Sequence, residues 1–562
     1  MLLLIPLLFL LPPQADQQLP DQLKKLIDVY AAVERQAADP VNPDQAIYGG
    51  AIPGMLKKLD PHSIFFDAQQ FQQLKEMENS TRKGFGSIVS VLPGRVFVLQ
   101  ALPGTPAAKS GLAPGDEILA VNGIPFNRLD MEQIVQVLSQ ARQQQARVDV
   151  RRPGQDRLFQ AVLTPEELQA PSVDRAYMLR PGIGYVRATS FDADTGAQIK
   201  QAIEKLGGNQ LKGLVLDLRD NPGGLLPSAL ETASLFLKPG QLLLSVRGRA
   251  VQAQEEKVPA TATPYTFPMA VLIDAKSASA SEIVTGALQD HDRAVVVGEP
   301  SFGKGLVQSV YPLSEGTGLA LTTAYYYTPS GRSIQKPLAG TQIAPGSATE
   351  HDPQAGAFRT DSGRTVRGGG GIQPDFLAYP EPLTQFRIAI DANGLCTSFA
   401  AEYLRQHPAV APDFEVTPAL LDEFRVYLSA KSIQPGLAEW SSERAWLSNR
   451  LKTEIFTQAL GVERGDQVAA ERDPVIQTAL EKIETDAAPA RWRTASIAAR
   501  ARSMIAAGGA GAFACPKLTR GTPAGKTPAP PKQRGYSSRL MVPRQFGAPQ
   551  RQMVRSVSFE KR

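Results

Sequence analysis

Two nearly continuous apolar runs constrain the fold of this 562-residue chain more than any other feature. They are Met269–Ala275, MAVLIDA, and Arg293–Glu299, RAVVVGE, and the segment between them has a helical pattern at Ala280–Gln289. Such runs are typical of strands buried on both faces, as in a parallel sheet covered by helices. Two β-rich runs upstream, GIGYVRAT and KGLVLDLRD, flank another helical segment. The alternation predicts an α/β core.

The regions on either side of this core have different patterns, and the length is enough for about three domains. Apolar residues recur at helical spacing in 20–82, short strands alternate with glycine turns from Gly84 onward, and helical patterns return beyond Pro380. We therefore predict a multi-domain α/β protein with an N-terminal helical segment at 20–82, a β-rich unit at 83–166, an α/β core at 167–380 and a helical region at 381–515.

The first eleven residues, MLLLIPLLFLL, form an apolar run of signal-peptide length. A signal-peptide core has ~7–15 apolar residues, whereas a membrane-spanning helix needs about 20. No Lys or Arg precedes the run, and the following PPQAD is a poor cleavage site, so a frayed apolar terminus is the alternative. We predict a signal peptide at 1–19 and export to the periplasm or cell envelope.

The basic character of the chain is confined to its last residues, 516–562. This stretch has eleven Lys or Arg and one acid, a net charge of +10, although the whole chain carries only +5. Its Pro, Gly and Ser content favours a disordered tail, which could contact an anionic surface. Only two cysteines are present, so a zinc ribbon and a disulfide framework are both excluded; Cys396 and Cys515 either pair with each other or are free thiols.

The stretch GEPSFGKG at Gly298–Gly305 fits the first part of a phosphate-binding loop. Such a loop needs a Ser or Thr after the lysine and then a helix. Here Gly305 follows the lysine, and LVQSVYPL has the pattern of a strand that ends at a proline. The sequence therefore disfavours nucleotide binding.

A serine follows the first apolar run at the predicted start of the helix. Ser279 and Glu282, in SASE, fit a capping box, in which the serine does no more than cap the helix. A serine at this place also gains from the positive end of the helix and from exposed backbone N–H groups, as a nucleophile requires. Its position makes Ser279 a candidate nucleophile, provided that a base lies nearby.

The base is not the obvious histidine. His291 lies twelve residues along the same helix, which places it about 18 Å from Ser279, beyond hydrogen-bond reach. Lys304 is the better candidate, because burial can lower the pKa of an amine towards neutrality, and its neighbours Gly303 and Gly305 permit a tight turn. Gln308 is four residues further on, where a neutral amide can orient the amine. The remaining histidines lie in segments without catalytic context: His62, His351 and His407.

The block PGTPAAKSGLAPGDEILAVNG resembles the central signature of PDZ domains. The resemblance implies that a peptide C-terminus adds as a strand beside Ser87–Val91 and packs against a helix at Met131–Ser139. Glycines in the loop before the strand let backbone amides converge on the terminal carboxylate. The peptide-binding residues expected from this resemblance are Gly84, Phe85, Gly86, Ser87 and Ile88.

Further motifs resemble the C-terminal processing, or tail-specific, serine peptidases of bacteria and chloroplasts. They are SASASEIVTGALQDHDRAVVVGEPSFGKGLVQ, LDLRDNPGG, TTAYYYTPSGRSIQ and GIQPDF, with LDPHSIFF in the N-terminal segment. The resemblance implies a protease core of the ClpP/crotonase-like type, with Ser279 as nucleophile, Lys304 as general base and Gln308 orienting the base. It places the oxyanion hole at the amides of Gly224, or its neighbour Gly223, and of Ala280.

The sequence thus predicts a secreted serine endopeptidase that cleaves proteins or peptides near their C-termini without a cofactor, metal or nucleotide. Its expected partners are substrates with free, apolar C-termini. The alternative is a catalytically silent PDZ-containing scaffold that only binds peptides.

Overall fold

The computed structural model describes residues 18–78, 81–152, 155, 157–169, 171–337, 356–485 and 556–558. The predicted signal peptide and basic tail lie outside these ranges, except for residues 18–19 and 556–558, and so does Cys515. Within the described ranges, no helix combines the length and the apolar character needed to cross a bilayer.

The N-terminal segment is mainly helical. Its elements are helices α1 Gln18–Gln36, α2 Pro43–Ala46, α3 Ile52–Leu59 and α4 Ala68–Glu78, with strand β1 Ile64–Phe66 between α3 and α4.

The next unit is the predicted PDZ domain, with a hydrophobic core of its own. Its sheet is antiparallel in the order β3-β4-β5-β7-β8, with β6 beside β5, and β2 pairs separately with β9. An Asp130 capping box starts the helix α6, whose Ile134 and Leu138 are buried in the core. The elements are β2 Thr81–Gly84, β3 Ser87–Leu92, β4 Arg95–Ala101, α5 Pro106–Lys109, β5 Glu117–Val121, β6 Ile124–Pro125, α6 Met131–Ala141, β7 Ala146–Arg151, β8 Phe159–Leu163 and β9 Glu166–Gln169.

The α/β core follows, with the two apolar runs as neighbouring buried strands. Its elements are β10 Val173–Arg180, β11 Ile183–Ala188, α7 Thr195–Lys205, β12 Gly213–Asp217, α8 Leu226–Ser234, β13 Leu242–Arg247, β14 Gln254–Lys257, β15 Met269–Ile273, α9 Ala280–Asp290, β16 Val295–Gly298, β17 Leu306–Pro312, β18 Gly318–Tyr327, β19 Ala357–Arg359, β20 Thr365–Arg367 and β21 Phe376–Leu377. The central sheet has the order β10-β11-β12-β15-β16-β21, and every pair but the first is parallel.

A second sheet of the core is antiparallel and takes one strand from the N-terminal segment. Its order is β1-β18-β13-β14, with β17 also paired to β18. The N-terminal segment is thereby attached to the strand next to β17, which follows Lys304.

The C-terminal region consists of α10 Gln385–Ala392, α11 Leu395–Gln406, α12 Pro418–Ala430, α13 Leu437–Leu460, α14 Val462–Ala470 and α15 Pro474–Thr485. The helices α10 to α13 share a core with the buried Cys396. Helix α15 instead packs its apolar face, including Ile476 and Leu480, against Val215 and Leu272 of the central sheet. The C-terminal region therefore supplies a layer of the α/β core. Strand β22, Ser556–Ser558, pairs with β3 of the PDZ domain.

Candidate active site

Ser279 occupies the predicted place, in the residue before α9 and after the buried strand β15. Its backbone is in a region rarely used by residues other than glycine, with φ 54° and ψ −111°. Such a conformation costs on the order of 1–3 kcal/mol and is commonly found at functional sites. The Ser279 N–H donates to Glu282 Oε2 at 2.8 Å, as part of a capping box between these two residues. Ser279 is therefore held at the N-terminal end of α9.

Lys304 lies in the loop between β16 and β17, where Gly303 has a φ of +89°. Its Nζ donates to Gln308 Oε1 at 2.7 Å, as the predicted orienting role requires. Desolvation lowers the pKa of Lys304, opposed by the negative charges of Asp60 and Glu282. Burial thus favours the neutral amine, the form that can accept a proton.

One buried carboxylate joins the serine loop to the lysine loop. Glu282 Oε2 accepts from the N–H groups of Ser279, at 2.8 Å, and Lys304, at 2.9 Å. Its Oε1 accepts from Gly303 N at 2.7 Å and Ser301 Oγ at 2.5 Å. Burial raises the pKa of Glu282, and these hydrogen bonds act in the opposite direction. The sequence assigned Glu282 to a helix cap and missed this bridge, which a capping acid beside a candidate nucleophile could have suggested.

A buried tyrosine makes a second link between the same two loops. The Tyr326 hydroxyl lies 2.7 Å from the carbonyl oxygen of Lys304 and 3.2 Å from that of Ser279. Tyr326 is only 1% exposed. Tyr326 therefore sets the distance between the serine loop and the lysine loop. Its place in the TTAYYYTPSG motif did not indicate this role.

The diglycine loop after β12 is bonded to the serine loop. The Asn221 carbonyl accepts from Ala278 N and from Ser281 Oγ, both at 3.0 Å. The amide of Asn221 donates to the Ala188 carbonyl at 2.9 Å and so holds the loop against β11.

The two glycines of this loop have different roles. The Gly223 N–H donates to Asn221 Oδ1 at 2.9 Å. In the described part of the chain, the N–H groups of Gly224 and Ala280 donate to no other residue. A Cβ on Gly223 would lie 2.9 Å from Ala280 N and 2.9 Å from Ser279 Cβ, so the loop runs directly against the serine. The free amides near Ser279 therefore favour Gly224 over Gly223 as an oxyanion donor.

The excluded His291 lies at the far end of α9 and has structural partners. Its Nδ1 is 2.8 Å from Asp361 Oδ2, and its Nε2 is 2.7 Å from the Leu242 carbonyl oxygen. His407 stacks on Tyr403 in the C-terminal region, and His351 lies outside the described residues.

His62, in a segment expected to lack catalytic context, lies beside the candidate base-orienting residue Gln308. Its carbonyl oxygen accepts from Gln308 Nε2 at 2.5 Å. Desolvation and the charge of Lys304 lower the pKa of the imidazole. The N-terminal segment thus reaches the base, because β1 joins the sheet that contains Gln308.

The peptide-binding residues predicted in the PDZ domain surround the start of β3. The Phe85 carbonyl accepts from Ala107 N and the Gly86 carbonyl from Leu102 N, both at 2.8 Å. Gly86 has a φ of +73°, and a Cβ there would collide with Thr105. The loop therefore requires glycine at this position.

The edge of β3 carries a strand from the same chain. Strand β22 pairs antiparallel with β3 in the register Ser556↔Ser90, Val557↔Val89 and Ser558↔Ile88. This edge of β3 therefore accepts strand addition.

Comparison with known proteins gives matches over the same regions. The sequence profile of Peptidase family S41 matches residues 182–346, and that of the PDZ domain matches 97–152. A carboxy-terminal-processing protease of Bartonella bacilliformis is 38% identical over 323 residues, which are 56% of this chain and 73% of that protein. A chloroplastic carboxyl-terminal-processing peptidase of Arabidopsis thaliana is 34% identical over 312 residues, 53% of this chain and 60% of that protein. A solved photosystem II D1 C-terminal processing protease is 25% identical with a TM-score of 0.35, covering 64% of this chain and 93% of that one.

Proposed function

The chain belongs to Peptidase family S41, the family of the carboxy-terminal processing proteases, and from this membership we propose that it is an exported serine endopeptidase that cleaves proteins or peptides near their C-termini. Ser279 is its nucleophile and Lys304 its general base. The observation that carries this proposal is that Glu282 Oε2 accepts a hydrogen bond from the backbone N–H of both residues, at 2.8 Å from Ser279 N and 2.9 Å from Lys304 N.

In the first step, neutral Lys304 Nζ accepts the proton of the Ser279 hydroxyl as Oγ bonds to the scissile carbonyl carbon. The carbonyl oxygen becomes an oxyanion, which the free N–H groups of Gly224 and Ala280 bind. Gln308 Oε1 accepts a hydrogen bond from Nζ at 2.7 Å and stays neutral throughout. Gln308 therefore orients the amine of Lys304 without the negative charge that would stabilise its protonated form.

In the second step, the Lys304 ammonium gives its proton to the leaving amine, and the C–N bond breaks to leave an acyl ester on Ser279. Neutral Lys304 then takes a proton from a water molecule that attacks the ester, and the resulting ammonium gives that proton to Ser279 Oγ as the ester C–O bond breaks. The products are the shortened substrate with a new carboxylate and the regenerated serine.

A fluorophosphonate probe is expected to label the protein once, at Ser279, because the probe reacts only with an activated serine. Ser279→Ala should lose the label, whereas Ser442→Ala, which removes a serine hydroxyl at an exposed position of helix α13, should keep it. The measurement is the intact mass after labelling. A chain that takes up no probe while binding tail peptides would instead support the silent scaffold.

The PDZ domain, in this proposal, presents the substrate tail. Strand addition at β3 supplies main-chain hydrogen bonds, and the amides before β3 bind the terminal carboxylate. The antiparallel pairing of β22 supports this mode of binding. The basic tail is proposed to contact anionic surfaces of the cell envelope.

A peptide with a free C-terminal carboxylate after apolar residues is expected to bind about tenfold or more tightly than its amide, because the amide loses charge-assisted hydrogen bonds. Fluorescence anisotropy with the Ser279→Ala chain measures both affinities without cleavage.

The matched control is the Ser279→Ala chain that ends at residue 515. It lacks β22, so both peptides should bind it more tightly than they bind the full chain, with the acid still preferred. Equal binding of acid and amide in both chains would contradict recognition of the terminus.

A further inference from the structure

A buried carboxylate closes a turn in the N-terminal segment, between α3 and β1. Asp60 is only 1% exposed. Its Oδ1 accepts from His62 N at 2.7 Å and from Ser63 N at 2.8 Å, and its Oδ2 accepts from Ser63 Oγ at 2.7 Å. Side chains of Asp that bond to the backbone two and three residues ahead hold a turn in one conformation. We call Asp60–Ser63 the Asp60 turn.

The Asp60 turn is fixed to the strands that carry the base-orienting residue. Strand β1, which follows the turn, pairs with β18. Ser63 Oγ also accepts from the N–H of Thr322 on β18 at 3.1 Å. Thr322 is the register partner of Gln308 on β17. The turn is therefore held opposite Gln308, although His62 and Gln308 are 246 residues apart in the sequence.

The His62 carbonyl decides which way the Gln308 amide faces. An amide has a donor end and an acceptor end, and a backbone carbonyl can only accept. The contact from Gln308 Nε2 to the His62 oxygen, at 2.5 Å, leaves Oε1 facing Lys304 Nζ at 2.7 Å. A flipped amide would place two acceptors together at His62 and would direct its own donors at the lysine. The fixed carbonyl excludes that state.

We propose that Asp60 is a positioning residue for the general base: it fixes the Asp60 turn, whose His62 carbonyl orients Gln308, which in turn directs the amine of Lys304. The proposal rests on the proposed role of Lys304. Asp60 itself does not touch the reacting atoms, so its effect should appear in the rate of the chemical step and not in peptide binding.

The negative charge of Asp60 has a second effect, on the pKa of Lys304, which can be separated from its effect on the turn. Glu282 also acts on Lys304, and the neighbouring titratable groups that feel the charge of Asp60 or Lys304 are His62 and Tyr325. Asp60 is one of two negative charges that raise the pKa of Lys304 against desolvation. Removing that charge lowers the pKa of the lysine, so the neutral amine persists to lower pH. The acid limb of the rate profile should then move to lower pH.

Two substitutions separate the turn from the charge. Asp60→Ala removes both and is expected to lower kcat for a short peptide about tenfold or more while KM changes less than about twofold, because a misdirected base affects the chemical step. Asp60→Asn keeps an oxygen that can accept from His62 N and Ser63 N, so kcat at its plateau should stay within about threefold while the acid limb moves to lower pH.

The control is Asp67→Ala, which removes an aspartate that caps helix α4 in the same segment. Asp67 Oδ1 accepts from Gln70 N at 2.8 Å, and the side chain is exposed. This variant should change neither kcat nor the pH profile. Thermal unfolding of every variant shows whether the fold persists. If Asp60→Ala does not fold, the kcat of Ser63→Ala tests the role of the turn and the pH profile of Asp60→Asn tests the role of the charge.

A double-mutant cycle tests whether Asp60 acts through Gln308. In the Gln308→Ala background, Asp60→Ala should lower kcat by less than about twofold, since the group through which it acts is gone. A full additional loss in that background, or an unchanged plateau in folded Asp60→Ala, would overturn the proposal. A Lys304→Ala chain measured alongside separates the two claims: if it retains turnover, the role of Lys304 is wrong, and if it is inactive, a failure concerns Asp60 alone.

Discussion

Replacing Lys304 with Arg is expected to lower kcat for peptide cleavage by roughly 10³-fold or more, as much as replacement with Ala does. Arginine keeps the positive charge and the length of the side chain, but it does not lose its proton in proteins and so cannot accept one from Ser279. If Lys304 only bound substrate through its positive charge, the Arg variant would keep more activity than the Ala variant. An equal loss of kcat in both variants therefore indicates that Lys304 acts as a base. Steady-state kinetics on a short soluble peptide measure the effect.

The control for this substitution is Lys257→Arg, on the exposed strand β14, where the lysine forms an ion pair with Glu255. It should leave kcat and KM unchanged. Both Lys304 variants should keep the thermal unfolding midpoint of the parent within a few degrees. Substantial turnover by Lys304→Arg would show that another group accepts the proton.

The same assignment fixes the direction of the pH dependence. The active form of Lys304 is the neutral amine, so kcat/KM should rise with pH through the pKa of this lysine in the free enzyme. Desolvation lowers that pKa from the ordinary 10.5, so the rise should be complete at lower pH than for an exposed lysine. A rate that is flat from about pH 5 to pH 9 would count against a lysine base.

The sequence predicted the parts of the site that depend on local patterns. The apolar runs that became β15 and β16 are continuous because both faces of these strands are buried, and they place the serine and lysine loops at the same edge of the sheet. The strand after Lys304 also could be predicted, since LVQSVYPL has a strand pattern that ends at Pro312. Gly305 stands where a phosphate loop needs Ser or Thr. These conclusions required no long-range contact.

The contacts that bind the site together could not be predicted from one sequence. Strand β1 has only three residues and lies between two helices, so periodicity gives no signal of its pairing with β18. That pairing brings His62 to Gln308. Helix α15 has an evident apolar face, but the pattern does not say that the face covers the catalytic sheet. Amphipathic spacing identifies a buried surface without identifying its partner.

The structure favours one glycine of the pair as the proposed oxyanion donor. Both glycines have positive φ, 98° for Gly223 and 151° for Gly224, but only the second has an unused N–H and an exposed position in the described chain. A Cβ on Gly224 would lie 2.2 Å from the Phe191 carbonyl oxygen, which is backbone and cannot move independently. An alanine there must displace the amide that faces the oxyanion.

Gly224→Ala is therefore expected to lower kcat about 10²- to 10³-fold, the usual loss for one oxyanion donor, with KM changed only a few-fold. KM should change less than kcat because the displaced amide binds the developing oxyanion, whereas the other substrate contacts hold the carbonyl group in the ground state. Gly240→Ala is the control for alanine at a glycine with positive φ: its φ is +81°, and its Cβ would enter open space. It should lower the unfolding midpoint slightly and leave kcat unchanged. If folded Gly224→Ala kept kcat within about threefold of the parent, the oxyanion would have to be bound by amides other than that of Gly224.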